Sequence, residues 1–221
     1  MRRLHSSLLI AAMVASAFPA HGQTRAARPV STRPTVITQS VMVPVYPGQM
    51  LTATLSLPTL EETPLPAVLV LTVREPASAP VAAATALERE LLERGFAVVH
   101  LELPPLPADA PPDSEPMLQP ADDAFAVLQF VREREDIDGD RVGVVGIGDA
   151  AEHAARATAL DEAARALVLL GAQELEVDTM GLPTDLPLLS LPVDVRAAPP
   201  AGAQASSPAT DAAVFFARHL Q

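Results

Sequence analysis

The chain has 221 residues, enough for one domain with a buried core, and its 49% hydrophobic against 19% charged residues excludes a disordered polypeptide. A formal net charge of −12 works against nucleic acid and anionic membrane surfaces as partners. The absence of cysteine excludes disulfides, thiolate metal sites and a cysteine nucleophile.

Residues 1–22 have the layout of a secretory signal peptide. Arg2 and Arg3 give a basic start, Leu8 to Phe18 is an apolar run, and Pro19 breaks it. Ala20 and Gly22 place small residues at −3 and −1 for a cut before Gln23. A membrane span needs roughly twenty apolar residues; this run is shorter and no later one is long enough. The expectation is an exported protein, periplasmic or secreted, with no membrane span in the mature chain. Residues 23–40 are polar and contain proline, which predicts a flexible leader before a domain over 41–221.

From Val41 the pattern is periodic. Residues 41–45 and 51–57 read as a hairpin around Pro47-Gly48, the second arm alternating Leu51, Ala53, Leu55 and Leu57 with Thr52, Thr54 and Ser56. Residues 67–71 are apolar throughout, as in a strand covered on both faces. A helix over 81–94 carries Ala84, Leu87 and Leu91 and stops at Gly95; a strand over 96–101 comes next. Residues 103–120 read as a proline-rich loop. Then come a helix over 122–133, a strand over 141–146, an alanine-rich helix over 149–160, strands over 166–170 and 186–191, and a closing helix over 211–220. This alternation predicts an α/β fold: a mostly parallel central sheet with helices on both faces and an N-terminal antiparallel hairpin. Chemistry in such sheets sits at the carboxyl ends of the strands.

The run Asp136-Ile137-Asp138-Gly139-Asp140-Arg141-Val142-Gly143-Val144-Val145-Gly146 resembles the segment before the nucleophile in α/β-hydrolases of the dienelactone-hydrolase and prolyl-oligopeptidase-like groups. Residues 41–58, 65–71 and 91–99 resemble, in matching order, that superfamily's opening hairpin, first central strand and next helix–strand pair. The resemblance implies an α/β-hydrolase fold with a minimal lid, about fifteen residues over 172–186, and a shallow, open pocket.

It also implies a strained G-x-S-x-G turn with small residues two before and two after the serine. Here the turn reads Gly146-Ile147-Gly148-Asp149-Ala150. Gly146 and Ala150 meet the steric demand, so Gly148 falls at the nucleophile position and brings no attacking atom. An Asp149 nucleophile would place bulky Ile147 two residues before it; Asp149 reads instead as an N-cap whose carboxylate satisfies free amides. Where the family has His-Gly after its first central strand, Thr72-Val73 follow Leu71, weakening the oxyanion hole. The implied acid is Asp194, displaced by about two positions. No histidine lies between it and the closing helix, and Gln204, the nearest stand-in for the base, cannot exchange a proton near neutral pH.

His100 on a strand, His153 on the helix after the turn and His219 in the closing helix read as structural or solvated. The acidic pairs Asp122-Asp123 and Glu61-Glu62 read as solvated carboxylates. No spacing supports a metal site or a phosphate loop, so no cofactor is expected. The sequence therefore points to a degenerate hydrolase site and a role in binding a small ligand or a protein. The alternative is an active esterase whose nucleophile has moved to Ser190, Thr72 or Asp149.

Overall fold

Apolar strands that need cover on both faces, separated by amphipathic helices, condense into one layered sheet. The computed structural model describes residues 34–59, 64–74, 79–105, 114–161, 163–172, 181–191 and 207–221. In chain order the elements are β1 (Val36–Tyr46), β2 (Gln49–Pro58), β3 (Leu65–Val73), α1 (Ala79–Glu93), β4 (Ala97–Leu103), α2 (Glu115–Arg132), β5 (Ile137–Ile147), α3 (Ala150–Leu160), β6 (Ala166–Leu170), β7 (Leu188–Leu191) and α4 (Pro208–Leu220). The seven strands form one sheet in the order β1-β2-β4-β3-β5-β6-β7. From β4 to β7 all neighbours are parallel, while β2 pairs antiparallel with both β1 and β4. The expected mostly parallel sheet with an N-terminal antiparallel hairpin is the observed one.

Side-chain alternation splits the core into two layers. Val68 and Val70 of β3, Val98 of β4, Val145 of β5 and Val168 of β6 pack under Leu87 and Leu91 of α1 and Ala213 and Phe216 of α4. On the opposite face Leu69, Leu71, Val99, Val144 and Leu167 pack under Val127, Leu128 and Val131 of α2 and the alanines of α3. All nine residues of β3 are buried, as its unbroken apolar run requires.

Two expectations are corrected. The leader does not reach residue 40: β1 begins at Val36, pairing Val36 with Pro58 and Ser40 with Thr54. Thr38, Gln39 and Ser40 lie exposed at the sheet edge, so their polarity masks a strand whose backbone is fully extended. The loop over 103–120 is also shorter than expected, because α2 starts at Glu115. Pro116 occupies the first turn, where its missing N–H costs nothing. Pro120 is accommodated inside the helix. The predicted lid falls largely on residues 173–180, outside the described residues. No described helix is long and apolar enough to cross a membrane.

Candidate functional site: the turn after strand β5

The acidic motif leading into β5 is a structural clamp. Arg134 donates to both Asp136 carboxylate oxygens, at 2.8 and 2.7 Å, and this hydrogen bonding holds the Asp136 pKa below the ordinary carboxylate value despite some burial. Arg141 donates to Asp138 at 2.6 Å and lowers its pKa in the same way. Leu65 N–H donates to the Asp136 carbonyl, fixing the start of β3 against β5. Arg132, at the end of α2, donates to the Gly139 carbonyl at 2.9 Å and to the buried Asp161 carboxylate at 3.1 Å. Gly139 is required because a Cβ there would stand 2.7 Å from the Arg132 carbonyl oxygen. The Asp136 and Asp138 carboxylates are thus each held by a nearby arginine at the entrance to β5.

At its other end β5 turns sharply into α3. A Cβ on Gly146 would lie 2.6 Å from Ala151 Cα and from Ala154 Cβ, so the strand passes the helix at a distance only glycine permits. Ala150 is fully buried. Gly148 has φ 61°, the left-handed conformation that a side chain resists. Its N–H donates to the Leu170 carbonyl on β6 at 2.8 Å, and its own carbonyl accepts from Ala151 N–H at 3.0 Å. β5, this turn and α3 thus make a tight strand–turn–helix at the carboxyl edge of an interior strand of the β1-β2-β4-β3-β5-β6-β7 sheet. The chain folds as a seven-stranded, mostly parallel α/β sheet with four helices and an N-terminal antiparallel hairpin.

No protein-family profile matches the sequence, and none of the curated proteins does. Among solved structures, the chain is similar to a hypothetical protein from Pseudomonas aeruginosa (23% identity over 64% of this chain and 44% of that one, TM-score 0.47). It is similar to a glucuronoyl esterase from Teredinibacter turnerae (21% identity over 63% and 42%, TM-score 0.47). It also resembles a thermostable carboxylesterase, EstE1, cloned from a metagenomic library (23% identity over 83% and 58%, TM-score 0.47). The chain spans about half the length of these structures.

The structure sorts the residues expected at the site. Gly146, Gly148, Asp149 and Ala150 lie in or beside this tight turn between β5 and α3. Asp149 precedes α3, but its carboxylate caps nothing: its backbone is already helical (φ −65°, ψ −17°). A capping side chain needs an extended backbone to curl back onto the first amides, so the capping role is withdrawn. Thr72 and Val73 continue β3, paired with Glu102 and Leu103, and Arg74 N–H donates to the Leu103 carbonyl at 2.8 Å. Asp194 and Gln204 lie outside the described residues. Ser190 is exposed on β7, beside Leu169 of β6. His219 is exposed near the end of α4 and lies against Phe215, ring centroids 4.5 Å apart.

One juxtaposition escaped the sequence. Thr72 Oγ1 lies 2.8 Å from His100 Nε2, and His100 Nδ1 lies 2.9 Å from Glu88 Oε1 on α1. Glu88 Oε1 nevertheless meets no hydrogen-bond partner in aligned geometry among the described residues. Three residues from β3, β4 and α1 thus form a hydroxyl–imidazole–carboxylate row on the α1 side of the sheet. Only tertiary packing joins them; no spacing in the sequence announces it. Thr72 is 2% exposed.

Two further residues, His153 and Asp123, carry buried polar atoms with no hydrogen-bond partner among the described residues. His153, on α3, is 1% exposed and neither ring nitrogen has a hydrogen-bond partner among the described residues. Burial lowers its pKa, outweighing the nearby charges of Glu152 and Asp149. Asp123 on α2 is likewise buried, not solvated as its pairing with Asp122 suggested; burial raises its pKa and Asp122 adds to the rise. No three His, Asp or Glu side chains converge in a metal-binding group among the described residues.

Proposed function

We propose that this chain is an exported hydrolase-fold protein that has lost ester hydrolysis and serves by binding a small ligand or a protein. The observation that carries the reading is Gly148 at φ 61°, a side-chain-free residue at the one position where this scaffold presents its nucleophile. The histidine content supports it: outside the first 22 residues the only imidazoles are His100, His153 and His219. None stands between β7 and α4, where the base belongs. Loss of a single triad member costs on the order of 10⁴–10⁶ in turnover, and here two are missing. Export rests on the signal-like residues 1–22. Its test is the N-terminus of the protein recovered from outside the cytoplasm, which should be Gln23.

A second reading has a specific observation behind it, the Thr72–His100–Glu88 row. In it Thr72 Oγ1 attacks an ester carbonyl, His100 Nε2 takes the hydroxyl proton, and Glu88 stabilises the imidazolium. The burial of Thr72 weighs against it, because a substrate carbonyl must approach within about 3 Å of the attacking oxygen. Incubation with short-chain aryl esters and a fluorophosphonate probe separates the two. The leading reading expects turnover at the level of a heat-killed control and no labelling. Turnover or labelling that disappears in Thr72→Val and His100→Ala overturns it in favour of the second.

A further inference from the structure

We propose that the edge of β1, unpaired among the described residues, pairs with the same edge of a second copy of this chain, antiparallel, about a two-fold axis at Gln39. β1 is an outermost strand of the sheet. Thr59 N–H donates to the Thr35 carbonyl at 2.7 Å, and the β1–β2 register runs unbroken from Val36 opposite Pro58 to Pro44 opposite Met50. In an antiparallel pair the backbone groups of alternate residues point to opposite sides. Odd-numbered residues from Thr35 to Val43 therefore bond to β2, and Val36, Thr38, Ser40 and Met42 turn their N–H and C=O outward. Such a row invites another strand, and proteins usually guard it with charge, above all lysine. Residues 34–46 contain no charged side chain, in a chain whose net charge is −12. Two copies thus repel each other least along this line.

The edge also matches itself. With the axis at Gln39, Val36 faces Met42, Ile37 faces Val41, and Thr38 faces Ser40: apolar opposite apolar, hydroxyl opposite hydroxyl. The next outward positions are Pro34 and Pro44, which lie symmetrically about residue 39, so each donorless residue faces the other. A shift of two residues in either direction sets a proline opposite a residue with an N–H to share. The paired segment makes about eight backbone hydrogen bonds and covers apolar side chains now open to solvent: Ile37 at 56%, Met42 at 61% and Val36 at 39% exposure. It is short, roughly 24 Å of strand, so association is reversible and depends on concentration.

The chain's lack of cysteine makes the register directly testable. In the purified protein, Gln39→Cys should oxidise to a covalent dimer, since directly opposed Cβ atoms lie about 4.5–5.5 Å apart. Ile37→Cys, roughly 14 Å from its own mate, should not, but should cross-link when mixed with Val41→Cys. Sedimentation from micromolar to millimolar concentration should show a monomer–dimer equilibrium. Thr38→Glu with Ser40→Glu should weaken it more than tenfold, and Thr38→Arg with Ser40→Glu should restore it. A monomer throughout that range overturns the proposal, whether another protein's strand or nothing covers the edge. Equal cross-linking at 37 and 39, or a double-Glu variant that dimerises like the parent, does so too.

Discussion

Replacing Gly148 by serine rebuilds the sequence of a nucleophile elbow, but on a backbone that resists it. At φ 61° the new Cβ enters the left-handed region, which costs about 1–2 kcal/mol for a residue with a side chain. In a domain of this size that lowers the melting temperature by roughly 2–8 °C. The hydroxyl is expected to gain no chemistry, because the sequence between β7 and α4 supplies no histidine to accept its proton; fluorophosphonate labelling should stay at background. Gly146→Ala is the contrasting case. Its methyl would stand 2.6 Å from Ala151 Cα and 2.7 Å from the Ala150 carbonyl oxygen, against about 3.5–4.0 Å for carbon atoms at rest. The clash is with helix backbone, so α3 must shift off β5, at a cost of about 3 kcal/mol or more. Differential scanning calorimetry of the parent and both variants, paired with probe labelling, measures all of this. A Gly148→Ser protein as stable as its parent would show that the turn is not where we place it. Covalent labelling of that variant would show that a base reaches the site and would refute its absence.

Three other substitutions have expected outcomes. Burial keeps His153 neutral in the fold, so its pKa there lies below the ordinary 6.5 and the unfolded chain takes up the proton first. This residue therefore leaves stability unchanged above about pH 6.5 and erodes it as the pH falls further, by at most about 1.4 kcal/mol per unit. His153→Leu should flatten the decline between pH 7 and 5 in urea titrations; an unchanged slope contradicts the assignment. Arg132→Ala strips the buried Asp161 carboxylate of its cation and the Gly139 carbonyl of a donor, and should lower the unfolding free energy by about 2–3 kcal/mol in the same titrations. Thr72→Val removes one hydrogen bond to His100 and should cost about 1 kcal/mol, with binding properties intact if the row is structural.

What the sequence disclosed was whatever periodicity and local sterics control. The unbroken apolar run Ala67–Leu71 could only be a doubly covered strand, and small residues at 146 and 150 could only serve a tight strand-to-helix passage. Polarity misled where a residue's surroundings are set from afar. Thr38, Gln39 and Ser40 look like loop, yet they form a strand because Thr54–Ser56 lies beside them. Asp149 has the right type and position for a cap, and only its backbone angles remove that role. The meeting of Thr72, His100 and Glu88 depends on the β3–β4 register and on the placement of α1 above it. A chain read residue by residue carries no trace of either.

Phe216 lies so close over Gly143 that a Cβ there would stand 2.5 Å from its ring, and Leu220 Cδ1 is 3.0 Å away. Strand β5 is therefore roofed by a helix that follows all seven described strands in the chain. Until residues 208–220 leave the ribosome, Val145 and Val168 lack their α4 cover. The sheet can be complete in sequence and still wait, half-dressed, for that helix. A chain truncated before Pro208 should be cleared by proteases rather than accumulate as a smaller globule.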